Sequence, residues 1–196
     1  AFEVFDALDV GFGLGDRRRH LGQRAGLVLG LDDQRHRVLA DDVAVVLRRV
    51  QNDLFDVGAD LSTPVKDSYE YPPLRVKQEW IDELEADCDH YNDQLTPLRS
   101  FILPGGSRAS AHLHVATTVV RRAERATWHA IEAHGTGPGS AKGEGGINPL
   151  CAAYLNRLSD LLFILARHAN LEVGGDVLWQ PGGGREEKPE KPLRRR

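Results

Sequence analysis

Four amphipathic helices gathered into an all-α, up-down bundle are what this sequence predicts, on three observations. Apolar residues recur at three-and-four spacing in four separate segments between residues 40 and 169, which is the period of one helix face. No segment shows the strict apolar–polar alternation of a half-buried strand. Glycine- and proline-rich stretches fall between the four segments, where turns belong. At 196 residues the chain has room for one real core and little room for a second.

The first helix is predicted from about Ala40. Val43, Val46, Leu47, Val50, Leu54 and Val57 form its stripe, with Asp41, Arg48, Gln51 and Asp56 between them and Gly58 as the expected stop. Ser62-Thr63-Pro64 through Pro72-Pro73 then reads as a polar, proline-punctuated connection. A second helix is predicted over residues 74–95, on Trp80, Ile81, Leu84, Cys88, Tyr91 and Leu95. Cys88 lies on that stripe and is expected as a small core residue, not a reactive thiol. Ser107 is the expected N-cap of a third helix reaching about His134. The stretch from Gly135 to Gly146 holds six glycines and is expected to be a flexible loop. A fourth helix, over residues 148–169, follows on Tyr154, Leu155, Leu158, Leu161, Leu162 and Leu165. Asp176-Val177-Leu178-Trp179 reads as a short extended piece packing an aromatic ring.

Composition removes several classes. The net charge of −4 argues against a nucleic-acid partner. Two cysteines are too few for a disulfide scaffold and point to a reducing, cytoplasmic compartment. No apolar run is read as approaching the ~20 residues that span a bilayer, and no signal peptide is read at the start, so no membrane partner is expected. Residues 1–51 use only ten residue types, all but Phe encoded by codons beginning with G or C. Bias from a GC-rich gene and a shifted reading frame upstream of Asn52 both account for that. Within this stretch Gly11-Phe12-Gly13-Leu14-Gly15 lacks the spacing of a phosphate-cradling loop. Arg17-Arg18-Arg19-His20 reads as a solvated charge cluster.

Chemistry-bearing residues concentrate on the last two helices. Arg121, Arg122, Glu124 and Arg125 fall within a turn and a half, and Arg121 and Arg125 share a face with Glu124 alongside. Guanidinium forks match phosphate oxygens bidentately, and the Glu can hold one Arg or accept from a ribose hydroxyl. A salt-bridged surface helix is the alternative. Asn156, Arg157, Ser159 and Asp160 sit among apolar neighbours, as either a core polar network or a ligand-facing cluster. Metal and hydrolase patterns are poor. Asp87-Cys88-Asp89-His90 supplies one loose element of a di-iron bundle. His112 and His114 flank Leu113 and face apart, and neither Cys-x-x-Cys nor Gly-x-Ser-x-Gly occurs.

Three blocks carry a family resemblance. Phe101-Ile102-Leu103-Pro104-Gly105-Gly106-Ser107, continued by Leu113-His114-Val115-Ala116-Thr117-Thr118-Val119-Val120-Arg121-Arg122-Ala123-Glu124-Arg125, resembles the PduO-type ATP:cob(I)alamin adenosyltransferases. So do Tyr154-Leu155-Asn156-Arg157-Leu158-Ser159-Asp160-Leu161-Leu162-Phe163 and Gln51-Asn52-Asp53-Leu54-Phe55-Asp56-Val57-Gly58-Ala59-Asp60-Leu61. The Gly175-Asp176-Val177-Leu178-Trp179 ending is similar to actinobacterial members, and the likeness covers about residues 46–183. It divides the chain into an atypical segment, 1–45, a bundle domain, 46–181, and a tail expected to be disordered, 182–196.

The resemblance implies a homotrimer with active sites between subunits. It implies transfer of the 5′-deoxyadenosyl group of ATP, accompanied by Mg²⁺, to the cobalt of cob(I)alamin. It assigns ATP binding to Arg121, Arg122, Glu124, Arg125 and Asn156, and corrinoid binding to Phe101. The cobalt is the nucleophile, so no catalytic side chain and no protein-held metal are assigned. Two departures stand out. The family's nucleotide loop, Thr-Arg-x-Gly-Asp-x-Gly-x-Thr, and its first acidic helix are missing from residues 1–45, and Thr117 stands where the family usually has Arg. Together they predict little or no turnover from the chain as written, and they keep a second class in view: a non-catalytic relative that folds, oligomerises or binds corrinoid.

Overall fold

The computed structural model describes residues 39–139 and 144–183. The expectations for the ten-letter stretch up to residue 38, for residues 140–143 of the glycine loop and for the tail from residue 184 lie outside the described residues. Four α-helices carry the described chain: α1 Asp41–Leu61, α2 Gln78–Asn92, α3 Arg108–His134 and α4 Pro149–His168, followed by a 3₁₀ turn at Leu171–Val173. No named strand occurs among the described residues, so the all-α expectation holds.

α4 is the axis of the bundle. It packs along α3 and α2 and more lightly on α1, while α1 and α2 are joined to each other by the Arg49–Asp87 ion pair and by the Tyr91 hydroxyl, which donates to Asp42 at 3.2 Å. Its Tyr154, Leu155, Leu158, Leu161 and Leu165 are essentially inaccessible, meeting Val57 of α1, Leu84 of α2 and Ala123 of α3 in one core. The sequence expectation that no apolar run is long enough to span a bilayer needs correcting. Pro149–Val173 is long and apolar enough by length and composition, but more than half of that window is buried inside the protein. Its hydrophobicity is that of a core helix clad on several sides.

The helix starts follow the sequence closely. Ser107 Oγ accepts from the Ser110 N–H at the head of α3. Asn148 Oδ1 accepts from the Leu150 N–H at the head of α4, where Pro149 needs no partner for a missing N–H. Two ends differ. Gly58 does not stop α1; it is buried within the helix, which runs on to Leu61. α2 begins at Gln78 rather than at residue 74. One polar knot explains both. Asp60, fully buried, accepts from the Val76 N–H at 2.7 Å and from Asn148 Nδ2 at 2.7 Å, and pairs with Arg75. Arg75 also donates to the carbonyls of Thr63 and Pro64 and to the Tyr69 hydroxyl. That knot needs α1 extended through Asp60 and needs residues 74–76 drawn out beside it.

The described part of the glycine loop is hydrogen-bonded rather than slack. Gly139 N–H donates to Val65 O at 3.0 Å, Val65 N–H to Gly146 O at 2.9 Å, and Ile147 N–H to Gly135 O at 2.9 Å. Gly145, at φ +129°, passes so close to Val65 O that a Cβ would lie 2.1 Å from it, so the glycines here serve close approach. The extended piece after α4 is also present. Leu178 bridges Ile102 in antiparallel pairing, with Leu103 N–H to Val177 O at 2.7 Å and Trp179 N–H to Phe101 O at 2.8 Å.

Candidate functional site

The seam between α3 and α4 brings together most of the polar residues singled out in the sequence. Glu124 is 9% exposed, and its Oε1 accepts from Asn156 Nδ2 at 2.9 Å. Its other oxygen lies 3.8 Å from Arg121 Nη1, which also donates to Ser159 Oγ at 3.3 Å. Ser159 Oγ in turn donates to Asn156 O at 2.7 Å. Arg125 donates to Arg121 O at 3.3 Å. The helical repeat thus works as expected: Arg121, Glu124 and Arg125 share a stripe, and α4 presents Asn156 and Ser159 to it. Arg122, exposed, stands about 100° round α3 from Arg121.

Charge and exposure divide the labour. The carboxylate is sunk in the seam and orients the Asn156 amide. The Arg121 side chain is 55% exposed, and Arg125 is exposed as well. Their contacts to the protein among the described residues are long, 3.3 Å to Ser159 Oγ and to Arg121 O and 3.8 Å to Glu124. A fixed amide beside outward guanidinium groups suits a polyanionic ligand with hydrogen-bonding groups at one end. Asp160, paired in the sequence reading with Asn156, instead engages Arg157 at 3.2 Å, and Arg157 reaches Glu85 of α2 at 2.7 Å. Thr117 donates its hydroxyl to Leu113 O at 2.9 Å within its own helix.

Phe101 lies elsewhere, on the loop that enters α3. The 13 helical steps from Arg108 to Arg121 correspond to roughly 20 Å along the axis. Phe101 is 78% exposed and stands edge-on to Trp179, ring centroids 6.0 Å apart. This aromatic pair, with the half-exposed Leu103 and Leu178, forms an apolar rim. The sequence reading of Trp179 as packing an aromatic ring is met by Phe101 itself.

Behind the rim lies a residue the sequence reading did not single out. Asn170 is 1% exposed; its Oδ1 accepts from Ser107 N–H at 2.8 Å and its Nδ2 donates to Gly105 O at 3.0 Å. The only cue in the sequence is an amide closing a long apolar helix. Beside it Arg167, 6% exposed, bonds Asp176 at 2.9 Å and the Thr96 carbonyl at 2.7 Å. His114, packed against Phe163, is buried with Nε2 unpartnered, and burial lowers its pKa against the opposing pull of Asp176.

No nucleophile is primed in the bundle. Burial pushes the Cys88 thiol up to about 12 and raises Cys151 further, so both stay protonated and inert. Burial likewise lifts Tyr91 to about 12, and burial with the Asp53 hydrogen bond lifts Tyr154. Among the described residues no three His, Cys, Asp or Glu side chains converge on a metal position.

Comparison with known proteins fits this arrangement. The family model described as cobalamin adenosyltransferase matches residues 25–169. A corrinoid adenosyltransferase of Mycobacterium tuberculosis is 55% identical over 161 residues, covering 82% of this chain and 74% of that protein. A cobalamin adenosyltransferase of Cupriavidus metallidurans is 42% identical over 161 residues, covering 82% of this chain and 75% of that protein. Among solved structures, a variant PduO-type ATP:corrinoid adenosyltransferase from Lactobacillus reuteri, complexed with cobalamin and ATP, superposes with TM-score 0.63. It is 31% identical, over 82% of this chain and 81% of that one. A four-helix fold, a guanidinium-lined seam and sequence identity of this extent converge: the chain belongs to the cobalamin adenosyltransferase family.

Proposed function

We propose that this protein is a corrinoid adenosyltransferase, with its nucleotide end at the α3–α4 seam and its corrinoid end at the Phe101 rim. The observation that carries the reading is the Arg121–Glu124–Asn156 cluster. Reduced cobalt attacks C5′ of ATP, a cobalt–carbon bond forms, the C5′–oxygen bond breaks, and triphosphate leaves with the bonding pair. Arg121, Arg122 and Arg125 bind the phosphate chain and offset the charge that grows on the leaving group. Asn156, fixed by Glu124, orients the nucleotide. Phe101 covers the face of the corrinoid from which the lower axial ligand has left, and keeps water out. Mg²⁺ would enter with the ATP and be held chiefly by its phosphate oxygens, since the described residues offer no carboxylate cluster for it.

A homotrimer with sites between subunits accounts for large apolar side chains that one subunit leaves in water. Phe55 on α1 is 83% exposed, and Val115 and Trp128 on α3 are 61% and 49% exposed. A reducing cytoplasm matches the two free cysteines and the reduced cobalt substrate. A second reading, a corrinoid-binding relative without turnover, draws support from Thr117, whose hydroxyl is spent inside α3.

An anaerobic assay with chemically reduced cobalamin and MgATP, following the cobalt–carbon absorbance, separates the two. Little turnover is expected from the chain as written. Measurable turnover is expected once a Thr-Arg-x-Gly-Asp loop replaces residues 1–24, upstream of α1 and of the family match. Persistent inactivity of that graft, with ATP unbound, would refute the adenosyltransferase reading.

A further inference from the structure

We infer that Asn170 is the positioning residue of the corrinoid end: it fixes the Phe101-bearing loop to the end of α4. This rests on the reading of Phe101 as a corrinoid contact. The segment from Phe101 to Ser107 belongs to no helix or strand. A loop in that situation needs anchors to hold one aromatic ring in one place. Asn170 supplies anchors from both ends of its amide. The Oδ1 takes the Ser107 N–H, an amide at the mouth of α3, and the Nδ2 gives to Gly105 O. Its own carbonyl accepts from the Val173 and Gly175 N–H groups, which turns the chain back toward the rim.

The fit is close on the loop side. Gly106 sits at φ +97°, and a Cβ there would lie 2.3 Å from Asn170 Oδ1. Only glycine leaves that space with that backbone. Gly106 is therefore the position shaped to receive this amide, while Gly105 contributes its carbonyl. From the turn made by Asn170 the chain proceeds through Asp176, tied to Arg167, to Val177–Trp179, which ladder onto residues 101–103. One buried residue thus closes both sides of the loop: directly through its side chain to Gly105 and Ser107, and indirectly through its backbone carbonyl and the returning segment. Because the hydrogen bonds of Asn170 go to Gly105, Ser107 and its own turn and not to Arg121, Glu124 or Asn156, its effect should fall on corrinoid and spare nucleotide.

The test is a double-mutant cycle in the loop-grafted full-length chain, reading cob(II)alamin affinity at saturating MgATP, the fraction of bound cob(II)alamin lacking its lower ligand, and ATP affinity. Asn170→Asp keeps the acceptor for Ser107 and loses the donor to Gly105; Asn170→Ala loses both. Expected results are corrinoid affinity weakened on the order of tenfold and less of the ligand-free cobalt signature, with ATP affinity within about twofold. Asn170→Asp should add little further loss in a Phe101→Ala background. Equal losses for ATP and corrinoid, losses that multiply with Phe101→Ala, or no loss at all would overturn the proposal. If Asn170→Ala does not fold, Asn170→Asp carries the test. A silent Phe101→Ala sinks the Phe101 reading and the proposal together, whereas an effective Phe101→Ala beside a silent Asn170→Asp sinks the proposal alone.

Discussion

Two arginine clusters in this protein use the same chemistry for opposite ends. At the Asp60 knot, Arg75 spends its donors on a carboxylate that is fully buried, on three carbonyls and on a phenol. At the α3–α4 seam, Arg121 makes only a 3.3 Å hydrogen bond to Ser159 and a 3.8 Å ion pair, with half its side chain in water. The first guanidinium is consumed by the fold. The second is held by the fold and left with capacity. An arginine whose donors are saturated internally is structural, and one that is braced but unsaturated is available to a ligand.

The sharpest way to break that contrast is Arg75→Leu. It strands Asp60 in the core, and the expected cost is about 3 kcal/mol of stability, read as a fall in the denaturant midpoint. A near-wild-type midpoint would erase the distinction. Next comes Arg121→Ala in the loop-grafted chain. Exposed ion pairs contribute little to folding, so its midpoint should stay within about 0.5 kcal/mol. ATP affinity should drop on the order of tenfold or more, the loss of charge-assisted contacts; titration calorimetry reads the affinity and a denaturant unfolding curve reads the midpoint. Unchanged ATP binding would remove Arg121 from the site. Glu124→Ala should fall between the two, at about 1 kcal/mol of stability for an unpartnered Asn156 amide, together with weaker ATP binding.

The smallest expected effect belongs to His114. Its folded pKa is lowered by burial, so the unfolded chain takes up its proton first as the pH falls. The stabilising contribution is present above the unfolded value of about 6.5 and is lost as the pH falls through the folded one. Asp176, facing it, opposes the shift. Midpoints measured from pH 7.5 to 5.0 should decline more steeply for the wild type than for His114→Leu; parallel slopes would show that His114 titrates as in water.

The four helices were legible because their apolar periods are long, and the Ser107 cap was legible because it acts locally, on a residue three positions away. The seam was half legible. Helical spacing put Arg121, Glu124 and Arg125 on one stripe, but nothing in spacing says that Asn156, 32 residues beyond Glu124, closes onto it. The Asp60 pairings of the knot and the Asn170 hub were not legible, since their partners lie 15 to 88 and 63 to 65 residues apart. Gly58 misled for a related reason. A glycine is read as a stop from local preference, and here a distant arginine keeps the helix going past it. Local physics writes itself into neighbouring letters, and tertiary pairing does not.

The central place of α4 bears on how the chain comes to be folded as it is made. α1, α2 and α3, translated before it, each make their closest backbone approach to α4 rather than to one another. Until the ribosome has delivered residues 149–168, their apolar stripes have no common partner. Productive folding therefore waits for the last helix, and that helix emerges into a setting where its mates are already present. A message cut short before α4 would yield three amphipathic helices without a core, a natural client for chaperones and proteases.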